Sequence, residues 1–211
     1  MSISAHIVRW RQKLSQYNAA WLDTQKYTHE WGERALLGVF AHLGVPDTYL
    51  DLGCGDGYLV EMAARMGILS VGVDIALERD VYFPMQILLK RDLATKLSLD
   101  QMRFSQVLTS GKGYDIVTSW EVGEHLEEAA VEIYLDTVRH HTGKWLVFTA
   151  AAVGQGGEGH INCQPQEYWW ERLVARGLTY CEAETDHIKE TWRWATGPCF
   201  WLPQNVQVFK C

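Results

Sequence analysis

One stretch, Tyr49–Tyr58, constrains the fold of this chain more than any other, and it reads YLDLGCGDGY. A short apolar run follows Pro46 and Asp47 and ends in three glycines within five positions, as when a buried parallel strand passes into a tight turn. Glycine permits positive φ angles and close approach of a ligand to the backbone. The apolar residues of 59–66 then recur at helical spacing. The stretch therefore predicts a strand, a glycine loop and a helix, with the loop at the electropositive end of the helix.

The side chains of this loop argue against a phosphate ligand. The dinucleotide pattern G-x-G-x-x-G would need a glycine at Tyr58, and the P-loop pattern G-x-x-x-x-G-K-[ST] is absent. Asp51 stands just before the glycines and Asp56 stands among them. Two carboxylates repel a pyrophosphate but suit a ligand with a cationic amine. The simpler alternative is a glycine-rich turn without a ligand.

The loop resembles motif I of the class I S-adenosylmethionine-dependent methyltransferases, whose pattern is roughly [D/E]-x-G-x-G-x-G. Asp51, Gly53, Gly55 and Gly57 match it position by position. The resemblance implies S-adenosylmethionine as the cofactor, with S-adenosylhomocysteine as the product. It also implies a set of cofactor-binding residues around the loop and at the ends of neighbouring strands. These are Asp51, Gly53, Cys54, Gly55, Tyr58, Asp74, Ile75, Asp92, Leu93, Trp120 and Glu121.

The alternation of apolar runs and helical patterns predicts one α/β domain over residues 1–211. We expect a doubly wound, mostly parallel seven-stranded sheet with helices on both faces, a Rossmann-like methyltransferase fold whose last strand is antiparallel. Residues 1–44 form a helical cap in this prediction, with a helix over 4–43, and residues 45–211 form the cofactor-binding core. The predicted strands begin near residues 49, 69, 85, 114, 144, 178 and 205, and a short helix is expected within 94–112.

Two acids lie at the ends of later strands in this prediction. Asp74 ends the second strand, one βαβ unit after the glycine loop, where a carboxylate can accept both ribose hydroxyls of a nucleoside. The motif II acid of the methyltransferases has this role. Asp92 follows the third strand, and the resemblance places it against the adenine amine. The alternative for Asp92 is a solvated loop aspartate.

The exit of the fourth strand reads SWEVGEHL over residues 119–126. It lacks the prolines of the [D/N/S]-P-P-[Y/F/W] motif of nucleic-acid amino-methyltransferases. Its E-V-x-E-H-L form resembles ubiquinone-biosynthesis and related small-molecule methyltransferases, and it fits the two-glutamate loop of protein arginine methyltransferases poorly. Catechol-type enzymes need clustered acids and an Asn for magnesium. Asp186 alone does not supply that cluster, so we expect no metal site.

Residues 154–164 follow the fifth strand and carry a second glycine-rich loop, GQGGEGHINCQ. This loop resembles a little-characterised bacterial and phage subgroup of methyltransferases with G-Q-G-G-x-G-H-x-N-x-Q before an E-Y-W helix. We expect His160 to be the base that deprotonates the acceptor, because histidine titrates near neutrality. His125 is the second candidate, placed at the start of a helix that would lower its pKa. The alternatives are an exposed loop histidine at 160 and a capping or packing role at 125.

Composition limits the partners. The formal net charge is −7, which argues against binding nucleic acid or an anionic membrane. No apolar run approaches the length of a membrane span, and five cysteines without a C-x-x-C pair suggest free thiols in the cytoplasm. We therefore expect transfer of a methyl group to an oxygen or nitrogen of a small molecule. The alternatives are an RNA or protein methyltransferase and a non-catalytic nucleoside-binding domain on the same fold.

Two aromatic-rich segments leave their roles open. The first precedes the glycine loop and either packs on the domain or covers the ligand; its members are Trp10, Tyr17, Trp21 and Tyr27. The second spans residues 191–203 and forms either a wall for the substrate or core over the sheet edge. Its members are Trp192, Trp194, Phe200 and Trp201.

Overall fold

A computed structural model describes residues 28–95 and 112–211 of the chain. Residues 4–27 of the helix predicted over 4–43, the four early aromatics and most of the predicted helix within 94–112 lie outside these residues. The described helices are α1 (His29–Leu43), α2 (Tyr58–Arg65), α3 (Glu128–His141), α4 (Gln166–Ala175), α5 (Glu182–Ala195) and α6 (Trp201–Asn205). The strands are β1 (Thr48–Leu52), β2 (Leu69–Asp74), β3 (Val81–Tyr82), β4 (Gln86–Lys90), β5 (Tyr114–Trp120), β6 (Thr142–Thr149), β7 (Thr179–Tyr180) and β8 (Gln207–Lys210).

The strands form one mixed sheet in the order β3-β4-β2-β1-β5-β6-β8-β7. The five central strands pair in parallel. β8 lies antiparallel between β6 and β7, as the sequence predicted for the last strand. From β1 the chain first adds strands on one side of the sheet (β2, β4) and then on the other side (β5, β6). The gap between β1 and β5 is therefore a topological switch point, where ligands of doubly wound sheets bind.

The sheet differs from the prediction in two places. It has eight described strands rather than seven, because the two-residue strand β3 pairs antiparallel with β4. Residues 182–195 form helix α5, although the sequence analysis predicted no helix between the strands that begin near residues 178 and 205. Thr185, Ile188 and Trp192 are the buried residues of α5 and recur at helical spacing, which the concentration of aromatic residues in this segment obscured.

Helices cover both faces of the sheet, as predicted, and each face has its own apolar core. α3 and α4 pack on one face with Leu50, Val117 and Phe209. α1, α2 and α5 pack on the other with Tyr49 and Val208. Neighbouring residues of one strand thus enter opposite cores, which is the alternation expected of a buried strand. None of the described helices has the length and apolar character needed to cross a membrane.

Candidate active site

A cavity of about 1000 Å³ opens at the carboxyl ends of the parallel strands. All thirteen residues that the sequence predicted for the site line it. They are Asp51, Gly53, Cys54, Gly55, Tyr58, Asp74, Ile75, Asp92, Leu93, Trp120, Glu121, His125 and His160. The topology brings them together because the ends of adjacent parallel strands meet at one edge of the sheet.

The glycine loop is bonded to the end of β2. The backbone N–H groups of Gly53 and Cys54 both donate to the carbonyl of Val73, at 2.8 and 3.2 Å. Gly53 has a φ of 89°, and a Cβ at this position would lie 2.2 Å from Cγ2 of Val122. Gly72 in β2 lies under the loop, where a Cβ would meet Sγ of Cys54 at 2.7 Å. Gly53 therefore lets the loop lie close against the exit of β5, and Gly72 lets it lie close against β2.

Asp74 and Asp92, two acids at this edge, accept hydrogen bonds from backbone N–H groups. The backbone N–H groups of Gly55 and Ala76 donate to Asp74 at 2.9 and 2.7 Å, and that of Ala94 donates to Asp92 at 2.8 Å. Burial nevertheless raises the pKa of both carboxyls, since a buried charge is poorly solvated.

Asp51 lies at the end of β1, is nearly fully buried and accepts a 2.7 Å hydrogen bond from the hydroxyl of Thr118. Burial, and to a lesser extent the charge of Asp74, raises the pKa of Asp51 to about 7. A cation bound beside this group would favour its charged form.

Helix α1 is tied to the glycine loop by polar and ring contacts. Nε2 of His29 lies 3.0 Å from Asp56 Oδ2, and the His29 ring stacks on Tyr58 with centroids 4.1 Å apart. The Tyr58 hydroxyl donates to Glu33 at 2.7 Å. His29 and Asp56 line the cavity, so α1 forms part of its wall.

Glu121 follows β5 in an unusual backbone conformation, with a φ of 55°. Such an angle is uncommon outside glycine. Its N–H donates to both oxygens of Thr149, at 2.9 and 3.1 Å. Its carboxylate accepts from Gln155 at 3.0 Å and from Asn205 at 3.2 Å. Three regions distant in sequence thus fix this acid at the cavity. Sequence analysis identified Glu121 but not the two amides that hold it.

Glu124 is the site residue that sequence analysis missed. It is fully buried, and neither of its carboxylate oxygens has a hydrogen-bond partner. Burial, followed by the charge of Glu121, raises its pKa well above the ordinary value. Its backbone carbonyl accepts from the N–H groups of Ile161 and Asn162, both at 2.9 Å. The loop after β6 therefore closes over Glu124.

The two predicted histidines lie together beside Glu124. The rings of His125 and His160 meet edge to face with centroids 4.9 Å apart. Nε2 of His160 lies 3.9 Å from Glu124 Oε1, and its Nδ1 lies 3.4 Å from the carbonyl of Gln155. His125 ends a 3-10 turn over Gly123–His125 and α3 begins only at Glu128, so the predicted place of His125 at a helix start is wrong.

The aromatic segment 191–203 divides between the two roles that the sequence left open. Trp192 is core, because it is fully buried, donates to the carbonyl of Ala35 at 3.0 Å and packs on Trp120. Phe200 and Trp201 line the cavity. Trp194 is 82% exposed and does neither.

The cavity is acidic where the structure describes its wall. Six carboxylates line it: Asp51, Asp56, Asp74, Asp92, Glu121 and Glu158. Among the described lining residues there is no lysine or arginine, and the candidate cations are three histidines. This charge suits a cationic ligand and disfavours a polyanion.

A mostly parallel sheet with a glycine loop after β1, acids at the ends of β1 and β2 and an acid after β4 defines a Rossmann-like methyltransferase of class I. The chain belongs to the methyltransferase domain family, whose family model matches residues 16–189. The resemblance drawn from the glycine loop is thereby confirmed.

Relatives and solved structures agree with this assignment. The chain is 29% identical over 119 residues to the ubiquinone biosynthesis O-methyltransferase of Yersinia enterocolitica, covering 49% of this chain and 47% of that one. It spans about half the length of the curated relatives it matches. A 1,6-didemethyltoxoflavin-N1-methyltransferase from Burkholderia thailandensis, solved with S-adenosylhomocysteine, superposes with a TM-score of 0.63 at 12% identity, covering 100% of this chain and 90% of that one. Magnesium protoporphyrin IX methyltransferase of Synechocystis superposes with a TM-score of 0.56 at 15% identity, covering 98% and 90%.

Proposed function

We propose that the chain transfers the methyl group of S-adenosylmethionine to an oxygen or nitrogen of a small molecule. The observation that carries this proposal is that one cavity is lined both by the glycine loop with its acids, from β1, β2 and β4, and by His125 and His160, from the exits of β5 and β6. Methyl transfer needs both a bound sulfonium and an acceptor held in line with it, and much of the rate comes from that positioning.

On the cofactor side, Asp74 receives the ribose hydroxyls and Asp92 the adenine amine. Carboxylate oxygens can accept more than one hydrogen bond, so the backbone bonds to Asp74 and Asp92 leave capacity for a ligand. Asp51 lies near the cationic amino-acid end of the cofactor. The loop residues Gly53 and Gly55 permit close backbone approach, and the remaining predicted residues form the walls of the cofactor site: Cys54, Tyr58, Ile75, Leu93, Trp120 and Glu121.

The charge of the cavity favours a small molecule over nucleic acid. A nucleic-acid acceptor would need basic side chains for its phosphates, and the described lining offers carboxylates. The toxoflavin enzyme is an N1-methyltransferase solved with the small molecule 1,6-didemethyltoxoflavin bound, which supports the same choice. We also propose that residues 1–44 form a cap on a cofactor-binding core of residues 45–211, and that this single domain acts in the cytoplasm.

The test uses S-adenosylmethionine with a labelled methyl group. We expect label to appear in a pooled small-molecule extract and not in an extract of nucleic acid or protein. Label found only in the macromolecular extracts would contradict the choice of acceptor. Failure to bind S-adenosylmethionine in a calorimetric titration would contradict the enzyme assignment as well.

Substitution of His160 tests its predicted role as the base that deprotonates the acceptor; His125 is the second candidate for this role. Turnover of His160→Ala should fall steeply while its affinity for S-adenosylmethionine stays close to that of the wild type, because the side chain lies away from the glycine loop. Normal turnover would show that His160 takes no part in activating the acceptor.

A further inference from the structure

Glu124, His125 and His160 form a cluster in which each residue offers one possible ligand atom for a metal ion. The three atoms lie within 4.8 Å of one another, and Glu124 Oε1 is 3.9 Å from His160 Nε2. With bonds of about 2.0–2.2 Å, two ligands of one ion lie roughly 3–4 Å apart. A small movement of the side chains therefore brings all three within bonding distance of one cation.

The carboxylate of Glu124 has no hydrogen-bond partner within the cluster. Both oxygens of Glu124 are buried without a partner, and a buried carboxylate without compensation is costly. His160 does not supply a donor if its Nδ1 holds the ring proton for the Gln155 carbonyl 3.4 Å away. In that tautomer Nε2 is an acceptor, so a carboxylate and an imidazole lone pair face each other.

We propose that Glu124, His125 and His160 bind one divalent first-row transition ion, and that this ion receives the hydroxyl of the methyl acceptor. The inference rests on the proposed function and narrows its acceptor to a hydroxyl compound. Two imidazoles and one carboxylate suit ions such as Mn²⁺, Fe²⁺ and Zn²⁺.

The surroundings of the cluster fit this role. The Gln155 carbonyl against His160 Nδ1 is the kind of partner that fixes the tautomer of a metal-bound histidine. Glu121, held by Gln155 and Asn205, adds a second negative charge near Glu124. The charges of Glu121 and Glu124 together balance a dication.

The chemistry balances without an oxidant or reductant. The acceptor hydroxyl binds the ion, which lowers the pKa of that hydroxyl, and its proton leaves to solvent. An oxygen lone pair then forms the bond to the methyl carbon while the carbon–sulfur bond breaks. The electron pair of that bond stays on sulfur, which becomes a neutral thioether. His160 is then a ligand rather than the base expected from the sequence, and the metal site lies where the sequence predicted none.

The experiment titrates EDTA-stripped protein with Mn²⁺ alone, following free Mn²⁺ by electron paramagnetic resonance, and with Zn²⁺ alone by calorimetry. We expect one ion per chain. Glu124→Gln and His160→Gln should each weaken binding at least ~10-fold, the scale on which metal sites respond to lost support. His140→Gln, an exposed histidine on α3, should bind as the wild type does.

Neighbouring glycines give a second, milder pair of variants. A Cβ at Gly157 would lie 2.2 Å from Nε2 of His160, whereas a Cβ at Gly156 would meet nothing within 4 Å. Gly157→Ala should therefore displace the imidazole and weaken Mn²⁺ binding, and Gly156→Ala should not. If circular dichroism shows that Glu124→Gln does not fold, the comparison of Gly157→Ala with Gly156→Ala tests the metal site in its place.

The possible results separate this inference from the proposed function. Absence of Mn²⁺ and Zn²⁺ binding, or equal affinity in the wild type, Glu124→Gln and Gly157→Ala, would overturn the metal site. If S-adenosylmethionine still binds in that case, the proposed function stands without it. Specific Mn²⁺ binding without any binding of S-adenosylmethionine would contradict the proposed function and leave the metal site intact.

Discussion

The two sides of the cavity differ in how fully the protein satisfies its own polar groups. On the glycine-loop side, formed by the ends of β1, β2 and β4, Asp51, Asp74 and Asp92 each accept hydrogen bonds from the chain. The histidine side comprises the exits of β5 and β6, the loop after β6, and α4 and β8 behind them. All the buried side-chain polar atoms found without partners in the described residues lie there, on Trp120, Glu124, Asn162, Trp169 and Gln207.

This difference shows which side is complete before a ligand arrives. Buried polar groups in native proteins are nearly always paired, so a group of unpaired ones needs an explanation. On the glycine-loop side, backbone N–H groups and the Thr118 hydroxyl already hold the acids. On the histidine side, the unpaired carboxylate of Glu124 lies beside His160, which is where an acceptor and an ion are proposed.

The largest expected effect comes from filling the glycine loop. Gly55→Val forces a β-branched residue to a φ of 58°, an outlier for such a side chain, and blocks the backbone approach. We expect the affinity for S-adenosylmethionine to fall at least ~1000-fold, about 4 kcal/mol, measured by calorimetry. Gly44→Val is the control, because Gly44 also has a positive φ but open space around it. Equal loss of affinity in both variants would point to general destabilisation.

Removing the acid after β2 should have the next largest effect. Asp74→Ala loses charge-assisted hydrogen bonds to the cofactor and to Gly55, and we expect binding to weaken by ~2–4 kcal/mol, roughly 30- to 700-fold. Asp186→Ala, which removes an exposed acid on α5, should bind normally. If Asp74→Ala retains wild-type affinity, the ribose assignment is wrong.

Proton linkage at Asp51 should have a smaller effect. Its pKa of about 7 in the folded chain lies above the unfolded value, so its contribution to stability is full below the unfolded pKa and is lost as pH rises through 7. A cationic ligand lowers this pKa, so binding releases a proton. The affinity for S-adenosylmethionine should therefore rise about 10-fold from pH 6 to pH 8. Asp51→Asn should flatten this dependence, and a persistent slope would assign it to another group.

The smallest expected effect concerns the two amides that hold Glu121. Gln155→Ala or Asn205→Ala frees one carboxylate oxygen, and we expect turnover to fall ~3- to 10-fold, which corresponds to about one hydrogen bond. Affinity for S-adenosylmethionine should fall less than turnover does, because the Glu121 carboxylate keeps its other amide partner and stays at the wall of the cofactor site. A larger loss of cofactor affinity than of turnover would remove the distinction between the two sides.

The sequence predicted the glycine-loop side in detail because its signals are local. The glycines, Asp51 and Asp74 each stand at a strand end that is readable from apolar runs. Glu124 was missed because its burial depends on Ile161 and Asn162 folding over it, a contact between distant segments. β3 is too short to leave a periodic pattern, and the aromatic residues of 191–203 obscured helix α5.

The antiparallel insertion of β8 has a consequence for biosynthesis. β8 follows the other described strands in the sequence yet lies inside the sheet, between β6 and β7. Asn205, two residues before β8, donates a hydrogen bond to the Glu121 carboxylate. The ribosome therefore delivers the glycine-loop side first, with all its hydrogen-bonding partners up to Thr118. The histidine side closes only after β8 has emerged, so a nascent chain acquires its cofactor loop before it acquires a finished catalytic pocket.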